Sequence, residues 1–241
     1  MHVYQFYIAP EAITGEWVEL SGSEWHHCSR VLRKQTGERL NLFEGRGRHY
    51  QAEIVAAGQT AARCRIIDTR VEKPCLPTIR LGVGLIRQAA LDSLVTELSV
   101  LGASDFFPIV TRHAVKHGFN RQRCQKLALE AVKQCGAAWL PVIHERVSLE
   151  DWLAGTAGFP NRWLLDMEAG ESFGAALAGG CPADPIALLF GPEGGLAEDE
   201  IQLAMQNGFQ PLRLSRRRLR TETAVGVALA ALHVSFQERG E

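Results

Sequence analysis

Residues 186–195 read Ile186-Ala187-Leu188-Leu189-Phe190-Gly191-Pro192-Glu193-Gly194-Gly195. The first five form an unbroken apolar run, the mark of a strand buried on both faces. The next five form a turn carrying three glycines and one carboxylate. At the carboxyl end of a buried strand, such a turn serves in one of two ways. It makes a tight passage into a helix, or it lets backbone N–H and C=O groups approach a ligand closely. A second strand, Pro211 to Leu214, leads into Ser215-Arg216-Arg217-Arg218-Leu219-Arg220-Thr221-Glu222-Thr223-Ala224. Five arginines stand between Leu212 and Thr221 with no acid among them. They read as a solvated basic surface or as a loop suited to an anionic polymer such as RNA.

Outward from this stretch the pattern is strands alternating with helices. Thr78 to Leu85, Phe106 to Val110 and Trp163 to Leu165 are further strands. Leu91, Leu94, Val95, Leu98 and Leu101 make an amphipathic helix stopped by Gly102. Asn120 caps a helix whose apolar face is Cys124, Leu127, Ala128, Ala131, Val132 and Cys135. The last helix runs from about Thr223 to Phe236 on Ala224, Val227, Ala228, Ala231 and Leu232. Its small residues either pack against the chain's own sheet or permit close approach of a second copy. Such alternation predicts an α/β fold, a parallel sheet with helices on both faces. Before it, Lys73-Pro74-Cys75-Leu76-Pro77 is a linker by composition. Residues 1–72 are β-rich instead. Val3 to Ile8, Trp17 to Leu20 and Arg63 to Val71 are strand candidates, and Arg39 to Phe43 pairs with His49 to Val55 around Glu44-Gly45-Arg46-Gly47. Ser21-Gly22-Ser23-Glu24 has capping-box spacing and starts a helix on Trp25, Cys28, Val31 and Leu32.

The chain has 241 residues, 46% of them apolar and 22% charged, values of a packed globular protein. Its net charge of −1 excludes a uniformly basic nucleic-acid coat while permitting local basic patches. The longest apolar run, Ala224 to Val234, is about half of the roughly 20 residues a membrane span needs. The start of the chain lacks the pattern of a signal peptide. Six cysteines (Cys28, Cys64, Cys75, Cys124, Cys135, Cys181) lie far apart without a CxxC pair, so neither a zinc site nor a secreted disulfide framework is expected. These features predict a cytoplasmic protein with reduced thiols and no membrane partner. There is no GxxxxGK[ST], and Gly82-Val83-Gly84 lacks the third glycine of a dinucleotide fingerprint. His113 and His117 have the spacing of a zincin pair, but Ala114 stands where the general base belongs, so no metal is expected.

The pair GPEGG and LRTETA closely resembles the end of the ribosomal small-subunit methyltransferase E family, within the SPOUT superfamily of knotted methyltransferases. His26-His27, Val31-Leu32-Arg33, Gly37 and Leu40-Asn41-Leu42-Phe43-Glu44-Gly45-Arg46-Gly47 match the family's first half. The resemblance implies a PUA-like RNA-binding β-barrel over residues 1–72. It implies a SPOUT α/β-knot domain, with a trefoil knot in its C-terminal part, over residues 73–241. It also implies a homodimer that uses S-adenosylmethionine to methylate N3 of a uridine in 16S ribosomal RNA of the small ribosomal subunit. The cofactor is then expected along Leu189, Phe190, Gly191, Glu193, Gly194 and Gly195, and along Leu212, Leu214, Ser215, Leu219, Thr221 and Thr223. RNA is expected on Arg30, Arg33 and Arg46.

Methyl transfer from a sulfonium needs positioning and the removal of one proton, and no metal. Uracil N3 lies on the Watson–Crick edge, so the base must be unpaired or extruded. Its proton calls for a carboxylate, a neutral histidine, or water held by one. Glu193 and Glu222 are candidates by location, and Arg220 can stabilise charge developing on the uracil carbonyls. Glu222 also fits a structural role at the start of the last helix. The chain departs from the family in its middle. The family's K-x-x-ELG helix has Glu97 and Val100 here, its S-E-R becomes Thr111-Arg112-His113, and its E-Q-x-x-R becomes Lys133-Gln134-Cys135-Gly136-Ala137. Pairing of Glu97 with Lys133 or Arg112 would compensate these changes. The alternative is a catalytically impaired or retargeted dimer of the same fold that binds RNA or the ribosome.

Overall fold

The computed structural model describes residues 4–115, 118–180 and 182–237. His117 of the zincin-like pair, Cys181 and Val3, the first residue of the Val3–Ile8 strand, lie outside them. The chain forms two compact units. The first is Met1–Pro74 with Leu129–Leu140, and the second is Cys75–Ala128 with Pro141–Glu241.

In the first unit the strands are β1 (Gln5–Tyr7), β2 (Ile13–Thr14), β3 (Trp17–Ser21), β4 (Arg39–Phe43), β5 (Arg48–Ala57) and β6 (Ala61–Val71). They form one sheet in the order β1-β4-β5-β6-β3-β2. Alternation sets its inner face. Val18 and Leu20, Leu40 and Leu42, Ala52 and Ile54, and Ala62 and Cys64 are all buried at every second position. Register shifts at Gln51/Ala52 and Ile54/Ala56 interrupt the β5–β6 ladder, the kind of irregularity that bends a long hairpin. Helix α1 (Gly22–His26) runs on into a π-helical turn over His27–Val31, and together they seat Trp25 and Cys28 in the core.

The capping-box reading of α1 fails. Ser21 makes no side-chain cap bond. Glu24 instead accepts from Tyr7 N at 3.2 Å and from Lys133 Nζ at 2.8 Å, so its carboxylate joins distant segments rather than closing its own helix. Residues 129–140 enter this unit in the same manner, since the Gln5 side chain donates to Val132 O at 3.1 Å and Ala137 O at 2.8 Å.

The second unit carries β7 (Ile79–Gly84), β8 (Asp105–Val110), β9 (Val142–Ile143), β10 (Val147–Ser148), β11 (Asn161–Leu165), β12 (Ile186–Phe190) and β13 (Gln210–Leu212). Their order is β10-β8-β7-β12-β11-β13, with β9 also on β8, and every pairing is parallel. All five residues of β12 are buried. Ile186, Leu188 and Phe190 face a cluster built with α2 (Gln88–Val100), α3 (Arg121–Cys135), α5 (Phe173–Ala178) and α7 (Thr221–Gln237). Ala187 and Leu189 face the opposite cluster, built with α4 (Leu149–Ala154) and α6 (Glu198–Gln206). Helices therefore cover both faces, as an all-parallel sheet requires. Asn120 does cap α3, its Oδ1 accepting from Arg123 N at 2.9 Å. The small-residue stripe of α7 packs into the first cluster, with Ala228 and Leu232 fully buried and Ala224 and Ala231 against them, whereas Val227, expected on the same face, is 43% exposed.

Candidate functional site: a cleft at three strand ends

Neighbouring strands β12, β11 and β13 all end on the same side of the parallel sheet, where open α/β folds bind ligands. A cleft of about 560 Å³ opens there, within the size range of small-molecule sites. Its walls are the segments that follow the three strands: Leu165 to Glu168, Phe190 to Leu196, and Leu214 to Thr221.

The middle wall is the glycine turn, and its shape is a matter of backbone. Gly195 has φ +73° and its N–H donates to Pro192 O at 2.8 Å, closing the turn. A Cβ on Gly191 would lie 2.9 Å from Leu196 N and 3.0 Å from the Gly195 carbonyl carbon, so no side chain fits. Thr221 is buried and donates its hydroxyl to Gly191 O at 3.1 Å, tying the turn to the start of α7.

Of the expected cofactor residues, Phe190, Gly191, Glu193 and Gly195 line the cleft from β12, and Leu214, Ser215, Leu219 and Thr221 from the segment after β13. Leu189 and Leu212 are fully buried in the sheet, and neither they, Gly194 nor Thr223 belongs to the lining. Asp166, Met167 and Glu168 line the third wall without having been anticipated. Their signal was available, because Trp163 to Leu165 reads as a strand and parallel strands present their carboxyl ends to ligands. Arg217 and Arg218 also reach the cleft, placing part of the basic run at its mouth.

The proposed catalytic groups divide. Arg220 lines the cleft with its side chain 85% exposed. Glu193 lines it too, but its Oε1 accepts from Arg87 N at 3.1 Å, at the start of α2. Glu222 is not in the lining, and its Oε1 is 4.0 Å from Arg220 Nη1 while Oε2 is buried without a hydrogen-bond partner. Beside it stands Glu97, whose carboxyl is raised above the usual glutamate range by partial burial and then by the negative Glu222.

The residues that depart from the family are all placed. Lys133 pairs with Glu24 and Glu130, and Arg112 with Asp199, so neither compensates Glu97. Arg112 N also donates to Glu200 Oε1 at 2.8 Å, and His113 Nδ1 lies 3.2 Å from Gly195 O. Val100 is exposed, and Ala137 contributes the carbonyl that Gln5 bonds. In the first unit, Arg30, Arg33 and Arg46 are all exposed. Arg33 has φ 55°, the left-handed region, and Arg46 bridges the backbone of Trp139. Burial pushes the Cys28, Cys64 and Cys124 thiols up to about 11, which leaves them unreactive. Among the described residues no cluster could hold a metal ion, and no helix is long and apolar enough to cross a membrane.

The parallel sheet with its cleft at a glycine turn, and the small β-unit before it, each coincide with a known domain family. Residues 72–233 match the RNA methyltransferase domain family, and residues 20–67 match the RNA methyltransferase PUA domain. The chain belongs to the ribosomal RNA small subunit methyltransferase E family. The family protein from Synechocystis is 32% identical over 97% of this chain and 78% of its own length. A putative methyltransferase of Legionella pneumophila, solved with bound S-adenosylmethionine, superposes with a TM-score of 0.85 at 26% identity, over 97% of this chain and 98% of its own. The family enzyme of Neisseria gonorrhoeae, also bound to S-adenosylmethionine, gives 0.84 at 25% identity, over 97% and 98%.

Proposed function

We propose that this protein is an S-adenosylmethionine-dependent methyltransferase of small-subunit ribosomal RNA that acts on N3 of a uridine in 16S RNA. It works in the cytoplasm as a homodimer. Residues 1–72 hold RNA, and residues 73–241 carry the methyl transfer, their C-terminal part threaded as a trefoil knot. The observation that carries this reading is the cleft itself, which opens at the ends of three adjacent parallel strands with the glycine turn in its middle wall. The closed space at Gly191 and the positive φ of Gly195 suit a flat, bent ligand held by main-chain groups.

When bound, the cofactor supplies an activated methyl group. The chain's residues do the remainder. Phe190 and Leu219 offer apolar surface, the Gly191–Gly195 turn offers amides and carbonyls, and Asp166 and Glu168 offer acceptors for hydroxyl groups. Arg220, exposed at the mouth, stabilises negative charge on the uracil carbonyls, with Arg217 and Arg218 attracting the RNA backbone. Because Ala228, Leu229 and Leu232 of α7 are buried within their own unit, the dimer surface uses the exposed side of that helix. Val227 and Val234 are 43% and 54% exposed there.

Two measurements test the proposal. Calorimetric titration should show saturable 1:1 binding of S-adenosylmethionine per chain. Mass mapping of 16S RNA from cells lacking the protein should show one unmethylated uridine, restored by the purified protein. No loss of a methyl group from that RNA would refute the assigned substrate.

A further inference from the structure

The first unit carries a polar groove of about 770 Å³ on the outer face of its sheet, and none of Arg30, Arg33 and Arg46 lines it. Register sets its floor. Gln5, Asn41, Gln51 and Asp68 are paired in a row across β1, β4, β5 and β6, and His49 pairs with Arg70 beside them. Glu72 and Gln134 to Gly136, which belong to the same unit, make the wall.

Alternation alone would not put Asp68 there. Ala62, Cys64 and Ile66 of β6 face the core, and Asp68 and Arg70 share their parity. The register shift at Gln51/Ala52 leaves Ile67 without a partner and turns both residues outward. We propose that this groove holds unpaired RNA bases that carry an exocyclic amino group, adenine before the others. The inference rests on the RNA-binding reading of residues 1–72.

The polar groups suit base edges. Gln5 Nε2 donates to Val132 O at 3.1 Å and to Ala137 O at 2.8 Å, so what Gln5 has left is Oε1, an acceptor. Asp68 is a second acceptor. Among the described residues, neither it nor Asn41 has a hydrogen-bond or ion-pair partner. Acceptors thus stand at both ends of the row, each next to an amide, Asn41 or Gln51. An exocyclic amino group has two hydrogens and can meet both oxygens of such a pair, while the amide N–H returns a bond to the adjacent ring nitrogen. Uracil has a single N–H on its edge. Amide side chains are the usual partners of adenine N6 and N7. At about 4.8 Å per strand the row is about 14 Å long, room for two adjacent bases.

The charges do not suit phosphate. Glu72 has both oxygens engaged, Oε2 at 2.7 Å from His49 Nε2 and Oε1 accepting from Ala138 N at 3.1 Å. With Asp68 it outweighs Arg70, so the groove has no excess of cations to draw a backbone. Bases splayed from a single strand can enter it while their phosphates lie elsewhere.

The test uses the full-length protein, labelled oligoadenylate and oligouridylate of equal length, and the variants Asn41→Ala and Asp68→Ala, both at exposed positions. Fluorescence anisotropy should show wild type preferring oligoadenylate by about fivefold or more. Each variant should bring that preference to within about twofold. The slope of log affinity against log salt should not change, since neither variant removes a cation. Unchanged thermal melts and S-adenosylmethionine affinity would report intact units. Asp68→Ala also separates base from phosphate. Were phosphate in the groove, loss of the carboxylate would tighten binding of both oligomers, and that result would overturn the proposal. Equal wild-type affinity for the two oligomers, or a preference that survives both variants, would overturn it too. Binding of a 16S RNA fragment without any adenine preference would remove the groove alone. Failure to bind either oligomer or the fragment would remove the RNA-binding reading of the unit and the groove with it.

Discussion

The glycine turn after β12 and the Thr111–His113 loop beside it adjoin one another and are built by opposite means. The turn is backbone: Gly195 N bonds Pro192 O, and Gly191 has no room for a Cβ. The loop is side chain: its anchors are carboxylates 87 and 88 residues further along the chain. A wall made of backbone is written in consecutive residues and can be read where it stands. A loop held by charge pairs can change both members and keep its shape, so substitution there says little about whether the neighbouring site is intact.

Substitution should separate the turn and the loop sharply. Gly191→Ala forces a methyl group to within 2.9 Å of Leu196 N, a backbone atom that cannot rotate away. Overpacking of this kind costs about 1–3 kcal/mol. If the loss falls on the cofactor complex, affinity for S-adenosylmethionine drops by about tenfold or more. Arg112→Ala removes an ion pair whose two side chains are 60% and 61% exposed, and should cost no more than about 1 kcal/mol. Calorimetric titration and thermal melts of both variants measure this. Equal effects would erase the distinction between the turn and the loop.

Legibility followed the same division. Gly102, with φ +80°, stops α2 where the periodicity ended, and Ile186–Phe190 is the strand its apolar run announced. Strands β2, β9 and β10 have two residues each, too few for any period to show. The share of residues 129–140 in the first unit was hidden for another reason. The apolar face of α3 is continuous, and what divides it is Gln5, 127 residues from Val132. Leu189 and Leu212 are buried in the core, so what they can offer the cleft is backbone. Asp166 to Glu168 carry no motif at all. Their place follows only from the strand that precedes them.

Side-chain charge also meets between α2 and α7, where Glu97 and Glu222 sit as like charges. Gly226 leaves the room, since a Cβ there would lie 2.8 Å from Glu97 Oε2. Glu97 holds its proton to higher pH in the folded chain than in the unfolded one. Stability therefore falls as pH rises through that window, and the cost persists above it. Glu97→Gln keeps the shape and removes the charge. Near pH 7.5 it should stabilise by about 0.5 kcal/mol, the scale of an exposed like-charge contact, or roughly 1–2 °C in Tm. Near pH 4, where Glu97 is already protonated, the two proteins should melt together. A gain of the same size at both pH values would show that the glutamate pair is not its source.

The smallest effect on stability is expected where the largest on RNA is sought. Arg33 is exposed and its φ of 55° lies in the left-handed region, which costs a non-glycine residue about 1 kcal/mol. Glycine at this position relieves that strain but gives the unfolded chain more freedom, a penalty of about 0.5–1 kcal/mol. The two terms nearly cancel, so Arg33→Gly should change unfolding free energy by no more than about 0.5 kcal/mol. What it removes is a cation on the surface expected to meet phosphate. Affinity for a 16S RNA fragment should fall, and the slope of log affinity against log salt should shrink by about one. Binding of S-adenosylmethionine, in the other unit, should be unchanged. An unaltered salt slope would place the phosphate contact elsewhere on the first unit, with Arg30 and Arg46 the next positions to neutralise. A weakened cofactor affinity would mean that this arginine acts on the cleft and not on RNA alone.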